Sequence, residues 1–100
     1  MPSLGELRRK IVPLLVPYAR SIAIFGSMAT GEATDDSDVD VLVELKPEGE
    51  RPVLGLRWFS LEMELSSVLG RPVDLVSRDS LSPHLLPYVE QHLVVLYAEG

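Results

Sequence analysis

Residues 22–45 read IAIFGSMATGEATDDSDVDVLVEL. An apolar run stops at Gly26-Ser27, a polar loop follows, and the chain resumes in an alternating strand. From Asp38 to Leu45, Val39, Val41, Val43 and Leu45 share one face of that strand, and Asp38, Asp40, Leu42 and Glu44 share the other. Both carboxylates leave the same side, less than about 7 Å apart along the chain. Two close carboxylates repel, and without a partner one takes up a proton. A divalent cation removes the conflict, and a hard, oxygen-rich site suits Mg²⁺ or Mn²⁺. The competing reading is a strand at an edge or solvated on one face, whose acids are simply wet; edge strands carry charge to guard against aggregation. An EF-hand loop starting at Asp36 fails, because its required glycine is Val41 and its closing glutamate is Pro47.

Gly26-Ser27 supplies context for the acids. A glycine at a strand end lets backbone approach a ligand closely. A serine capping a short helix over residues 28–31 adds a hydroxyl beside free N–H groups, which together favour an anion. Most Gly-Ser pairs are only turns, and Gly31 is equally readable as a helix stop.

Outward from this stretch, Ser3-Leu4-Gly5-Glu6 has the form of a capping box, with Ser3 as N-cap and Glu6 reaching back. Leu4, Leu7, Ile11, Leu14, Leu15 and Tyr18 follow at helical spacing, with Pro13 expected to kink or split the helix. Residues 21–25 read as a short buried strand. Residues 46–52 form a loop, and 55–69 an amphipathic helix through Leu56, Phe59 and Met63, stopped by Gly70. Trp58 and Phe59 are expected in the core, the alternative being a sticky surface patch. Val73-Asp74-Leu75-Val76 reads as a third strand. Asp74 inside that apolar run is either a solvated acid or one with a purpose, since an unpaired buried carboxylate is expensive. A turn and a helix around residues 87–93 follow, and LVVLYA either ends that helix or adds a strand. His84 and His92 read as surface residues without metal-ligand company. Strands alternating with helices argue for an α/β or α+β layer.

The chain has 100 residues, which predicts one domain over 1–100 with a real core. Cysteine is absent, excluding disulfides and thiolate metal sites and fitting a reducing cytoplasm. The N-terminus lacks the apolar stretch of a signal peptide, and no run approaches the ~20 residues of a membrane helix. A net charge of −6 makes nucleic acid an improbable partner, because a phosphate ligand then needs a local device such as a metal, oriented N–H groups or placed arginines.

Gly-Ser, ten intervening residues and Asp-x-Asp on the next strand form a far more specific pattern than either part. It resembles the signature of the nucleotidyltransferase superfamily related to DNA polymerase beta. FGSMATGEATDDSDVDVLVEL is most similar to the minimal nucleotidyltransferases, with RPVDLV at 71–76 as a second anchor. The resemblance implies a small mixed β-sheet with helices packed mainly on one face. It implies that Gly26 and Ser27 hold the phosphates of a nucleoside triphosphate, ATP being the expected one. It implies that Asp38, Asp40 and Asp74 bind two Mg²⁺ ions, Mn²⁺ being an alternative, and that Asp74 also accepts a proton. The implied reaction transfers a nucleoside monophosphate, AMP by expectation, to a hydroxyl with release of pyrophosphate. The implied partner is a small helical protein of the HEPN type, silenced as a toxin by modification of a tyrosine.

One departure stands out. The family often carries basic residues in the short helix after Gly-Ser, in a pattern like GSRARGEA, where this chain has Met28 and Thr30. Lost guanidinium groups weaken the grip on a triphosphate. Arg20, Arg71 and Arg78 are the candidates to compensate. The departure motivates an alternative in which the fold survives as a binding module that neutralises its partner by complex formation. A metal-dependent nuclease is the weaker third reading, since more basic surface is expected of one.

Overall fold

The computed structural model describes residues 3–34 and 36–99; Asp35, inside the expected polar loop, lies outside them. Four strands, β1 (Ala19–Phe25), β2 (Val39–Leu45), β3 (Val73–Ser77) and β4 (Val94–Ala98), form one sheet in the order β3-β2-β1-β4. β1 pairs antiparallel with both β2 and β4, whereas β2 and β3 are parallel. The helices are α1 (Leu4–Leu15), α2 (Ser27–Thr30), α3 (Arg57–Leu69) and α4 (Leu86–Gln91). Parallel neighbours need a crossover, and α3 is that crossover between β2 and β3. The mixed sheet expected from the resemblance is therefore present, and residues 94–98 resolve as its fourth strand.

The core forms where α1 and α3 cover one face of the sheet. Leu7, Ile11 and Leu15 of α1 and Leu61 and Leu65 of α3 close over Ile22, Ile24, Val39, Val41, Val43, Val73, Leu75 and Leu96. The odd-numbered valines of β2 are at most 1 % exposed, as period-two alternation requires. β2 lies inside the sheet, so Asp38 and Asp40 do not mark an edge strand, whereas a strand solvated on one face fits the exposure of Asp38 and the half-burial of Asp40.

Helix side chains reach both edges of the sheet and satisfy some of the donors and acceptors that would otherwise recruit another strand. On β4, Arg8 Nε of α1 donates to the Leu96 carbonyl at 3.0 Å. On β3, the Val73 N–H donates to Ser66 Oγ at 3.1 Å and the Leu75 N–H to Glu62 Oε2 at 2.9 Å. The segment after β3 turns over the other face of the sheet, where Ala23 and Leu42 are buried and line a small hollow with Arg78 and Leu93.

Local expectations were met unevenly. Ser3 Oγ accepts from the Glu6 N–H at 3.1 Å, but the Glu6 carboxylate turns to Lys10 Nζ at 3.0 Å instead of reaching back. Pro13 neither splits nor ends α1 at once. Pro13 is exposed, and so is Arg9, whose carbonyl loses its helical donor on the solvent-facing side of the helix. Gly26, not Ser27, is the N-cap of α2; Ser27 is the first helical residue, and no side chain caps this helix.

The larger correction concerns α3. The stripe through Leu56, Phe59 and Met63 faces outward, at 84 %, 62 % and 72 % exposure. The buried stripe is Leu61 and Leu65, with Trp58 and Leu69 packed beside it. At 3.6 residues per turn the two stripes occupy opposite sides of one helix, and periodicity alone does not say which faces the sheet. Trp58 meets the expectation of core packing and Phe59 does not. Urea unfolding should separate them: Leu61→Ala should cost about 2–5 kcal/mol by cavity formation. Phe59→Ser and Met63→Gln should stay within about 0.5 kcal/mol of the parent. A large loss in the latter pair would contradict the orientation of α3.

Candidate active site

The site grows from where β1 and β2 end. β1 delivers the chain to Gly26, whose φ of 70° and ψ of −151° lie in a region only glycine occupies without strain. That conformation throws the chain from strand directly into α2. The Ala29 and Thr30 N–H groups donate to the Gly26 carbonyl at 3.0 and 3.1 Å, and Gly31, left-handed at φ 83°, closes the turn through its N–H to the Ser27 carbonyl at 3.1 Å. The N–H groups of Ser27 and Met28 belong to the first turn, which has no partner within its own helix.

Glycine at 26 is required for a second reason. A Cβ there would overlap Oδ2 of Asp40 and sit 3.4 Å from its Cγ. The Asp40 carboxylate lies directly against the backbone of the Gly-Ser turn. Phe25 is its antiparallel register partner on β1, and Asp74 its parallel register partner on β3. Neighbouring strands lie about 4.8 Å apart, so Asp40 and Asp74 project side by side from the face opposite the helices. Asp38, exposed, precedes β2 by one residue and sits one pleat repeat from Asp40. Asp40 is half-buried and Asp74 exposed.

Electrostatics mark Asp40 out. Burial pushes its pKa above the ordinary aspartate value, and the negative charges of Asp74 and then Asp38 push it further. Both neighbouring acids thus act on Asp40, and among the described residues no cation offsets them there. Among the described residues, no three acids or histidines close into a ready metal cage. The donor set, hard oxygens with excess negative charge around a half-buried carboxylate, fits Mg²⁺ or Mn²⁺.

The basic residues fall elsewhere. Arg20 stands at the opposite end of β1, roughly 20 Å away by strand rise, 4.0 Å from Glu99. Arg78 pairs with Glu90 of α4. Arg71 alone lies at the acid end: its Nη1 is 3.4 Å from the carbonyls of both Thr34 and Ser37, and the next residue, Pro72, accepts from the Val39 N–H at 2.9 Å. It fastens the loop that leads to Asp38. A hollow of about 710 Å³ is bounded by Arg20, Glu44, Lys46, Glu50 and Glu99 at the far end of the sheet. Its lining mixes basic and acidic side chains and includes neither the Gly-Ser turn nor Asp38, Asp40 or Asp74, which lie at the other end.

Sequence reasoning passed over Glu62 and Ser66, which hold β3 on either side of Asp74. In the sequence they look like ordinary polar positions on a helix, and only the position of α3 beside the sheet edge reveals their partners.

Comparisons with known proteins agree with this geometry. The family model for the nucleotidyltransferase domain matches residues 7–96. A Methanocaldococcus jannaschii protein, provisionally named a protein adenylyltransferase, is 39 % identical over 84 residues, 83 % of this chain and 86 % of that protein. The protein adenylyltransferase MntA of Thermococcus cleftensis is 43 % identical over 75 residues, 75 % of this chain and 72 % of its own. Among solved structures, a toxin–antitoxin with AMP-PNP superposes with a TM-score of 0.76 at 29 % identity, covering 91 % of this chain and 73 % of that one. A structure described as a minimal nucleotidyltransferase gives 0.71 at 32 % identity, with 93 % and 95 % covered. A tri-AMPylated Shewanella oneidensis HEPN toxin in complex with MNT antitoxin gives 0.72 at 25 % identity, with 96 % and 73 % covered. A Gly-Ser turn packed on the second acid of an Asp-x-Asp strand, and a match running nearly end to end, lead to one conclusion: this chain belongs to the nucleotidyltransferase domain family, among its minimal members.

Proposed function

We propose that the chain is a single-domain, Mg²⁺-dependent nucleotidyltransferase of the cytoplasm. It moves AMP from ATP to a hydroxyl, namely a tyrosine of a small HEPN-type partner, and acts as that partner's antitoxin. The observation that carries this reading is the pairing of Asp40 with Asp74 across parallel strands, with the Gly26 backbone pressed against the Asp40 carboxylate. The names of the relatives support the adenylyl group, and the AMPylated toxin complex among the neighbouring structures supports the partner class. No helix among the described residues is long and apolar enough to cross a membrane.

In this reading, Gly26 and Ser27 receive the phosphates through the backbone N–H groups of the turn and the Ser27 hydroxyl. Asp38 and Asp40 are the residues that would hold a cation on the triphosphate, and Asp74 with Asp40 a second one. Such cations neutralise the charge that develops on the attacking and leaving oxygens. Asp74, the most open of the register pair, faces the side from which an acceptor hydroxyl arrives and takes its proton. The hydroxyl oxygen bonds to the α-phosphorus as the bond to the bridging oxygen breaks, and pyrophosphate departs. Positioning and charge supply most of the acceleration in transfers of this kind. Met28 and Thr30 provide no cation to the phosphates, so binding rests more heavily on the acids' metal than in relatives with basic residues there.

A second reading is favoured by the outward stripe of Leu56, Phe59 and Met63, an exposed apolar surface of the kind that meets other proteins. The same protein would then neutralise its partner by contact alone.

Incubation with labelled ATP, Mg²⁺ and the HEPN-type partner, followed by mass measurement, should show AMP added to the partner. Asp38→Asn combined with Asp40→Asn should reduce transfer by at least about a hundredfold, since even outer-shell changes at metal sites cost ten- to a hundredfold. If that double variant still protects cells from the partner, contact alone suffices and the second reading prevails. Gly26→Ala should cost about 1–3 kcal/mol of stability and displace Asp40, losing transfer as well. The raised pKa of Asp40 fixes a sign for pH. The folded protein binds that proton more tightly than the unfolded chain, so this contribution is fully present below the usual carboxylate range. It declines as pH rises through the raised value. Thermal melts in EDTA should therefore show this loss with rising pH, Asp40→Asn should abolish it, and Mg²⁺ at neutral pH should offset it in the parent alone.

A further inference from the structure

We infer that Glu62 and Ser66 of α3 are positioning residues for Asp74, through the two backbone hydrogen bonds they make to β3 on either side of it. The inference rests on the reading of Asp74 as a metal ligand and proton acceptor. β3 is an edge strand, paired only with β2, so its outward N–H groups have no strand partner. In a strand these belong to alternate residues, here Val73 and Leu75, the immediate neighbours of Asp74. Glu62 Oε2 accepts from the Leu75 N–H at 2.9 Å, and Ser66 Oγ from the Val73 N–H at 3.1 Å. The Ser66 hydroxyl in turn donates to the Glu62 carbonyl at 2.9 Å, which fixes its lone pairs toward the strand.

The arrangement has features that a mere edge cover does not need. A lysine or proline on the strand would protect the edge equally well. Here both anchors bracket a single residue, and both come from one face of one helix, one turn apart. An acid exposed on an edge strand otherwise shares the mobility of that edge. A two-metal site needs its ligands held to within roughly 0.5 Å, which packing and outer hydrogen bonds must supply. Asp38 and Asp40 gain rigidity from an interior strand, and Asp74 gains it from α3. The bond to Glu62 needs an acceptor and not a charge: Gln presents a carbonyl oxygen in the same place, and Ala presents none.

The test uses the full-length protein with ¹⁵N labelling and Mg²⁺ as the probe. In Glu62→Ala, amide hydrogen exchange at Leu75 should accelerate, and the Mg²⁺ concentration that half-saturates the Asp74 amide shift should rise about tenfold. The kcat for transfer should fall by a similar factor, with the KM for ATP and the ATP response of the Gly26 and Ser27 amides unchanged. Glu62→Gln should restore all of these to within about twofold of the parent. Ser66→Ala, which deletes the Val73 anchor alone, should give the same pattern more weakly, and it carries the test if Glu62→Ala does not fold. Faster exchange at Leu75 with an unchanged Mg²⁺ response at Asp74 would overturn the inference. So would a Glu62→Gln variant as impaired as Glu62→Ala. Asp74→Asn separates the two levels: if it keeps both Mg²⁺ binding and transfer, the reading of Asp74 itself is wrong. If it is inactive while Glu62→Ala behaves as the parent, only the anchoring is wrong.

Discussion

The parallel register of β2 and β3 is the constraint on which the rest of the molecule depends. Val39, Val41, Val73 and Leu75 must enter the hydrocarbon between the sheet and its two long helices. With a period of two, that requirement sends Asp40 and Asp74 to the opposite face, and the register sets them side by side. Core packing and the acid pair are therefore one geometric fact seen from two faces of the sheet. The burial of odd-numbered side chains supplies the stability that lets even-numbered ones repel each other.

That repulsion distinguishes this site from ordinary surface acids. A lone aspartate on a wet strand has nothing to gain from a cation. Asp40 is partly desolvated and faces two like charges, so its charged form is disfavoured until something positive arrives. In the proposed function the same feature is what lets a chain of net charge −6 take an anionic substrate. Arg20 and Arg78 are paired elsewhere, and Arg71 fastens the loop before Asp38.

Much of this was legible in the sequence, for identifiable reasons. The alternation from Val39 to Leu45 is unambiguous because every second residue is β-branched or leucine, so the strand and its two faces followed directly. Gly26 was legible as a turn, but its contact with Asp40 belongs to tertiary structure. Gly70 as the stop of α3 and Val73 to Val76 as a strand were readable from local chemistry, and the structure extends that strand only to Ser77. The face of α3 was not readable. Leu56, Phe59 and Met63 form as good a helical stripe as Trp58, Leu61 and Leu65, and only the sheet decides between them. The interior position of β2 was equally hidden, because strand order depends on where α3 and the last strand return the chain. Glu62 and Ser66 are the clearest case: their partners are backbone groups 13 and 7 residues away, a relation no residue pattern encodes.

The short connection Gly70-Arg71-Pro72 carries a consequence for how such a chain tolerates change in length. One residue added there can be absorbed only by the turn itself. Passed into β3, it would rotate the strand by half a pleat, sinking the carboxylate of residue 74 among leucines and valines and lifting Leu75 into its place. Folding and chemistry would fail together, so lineages of this protein are expected to vary in length at the 46–52 loop and to keep the count between helix and strand fixed.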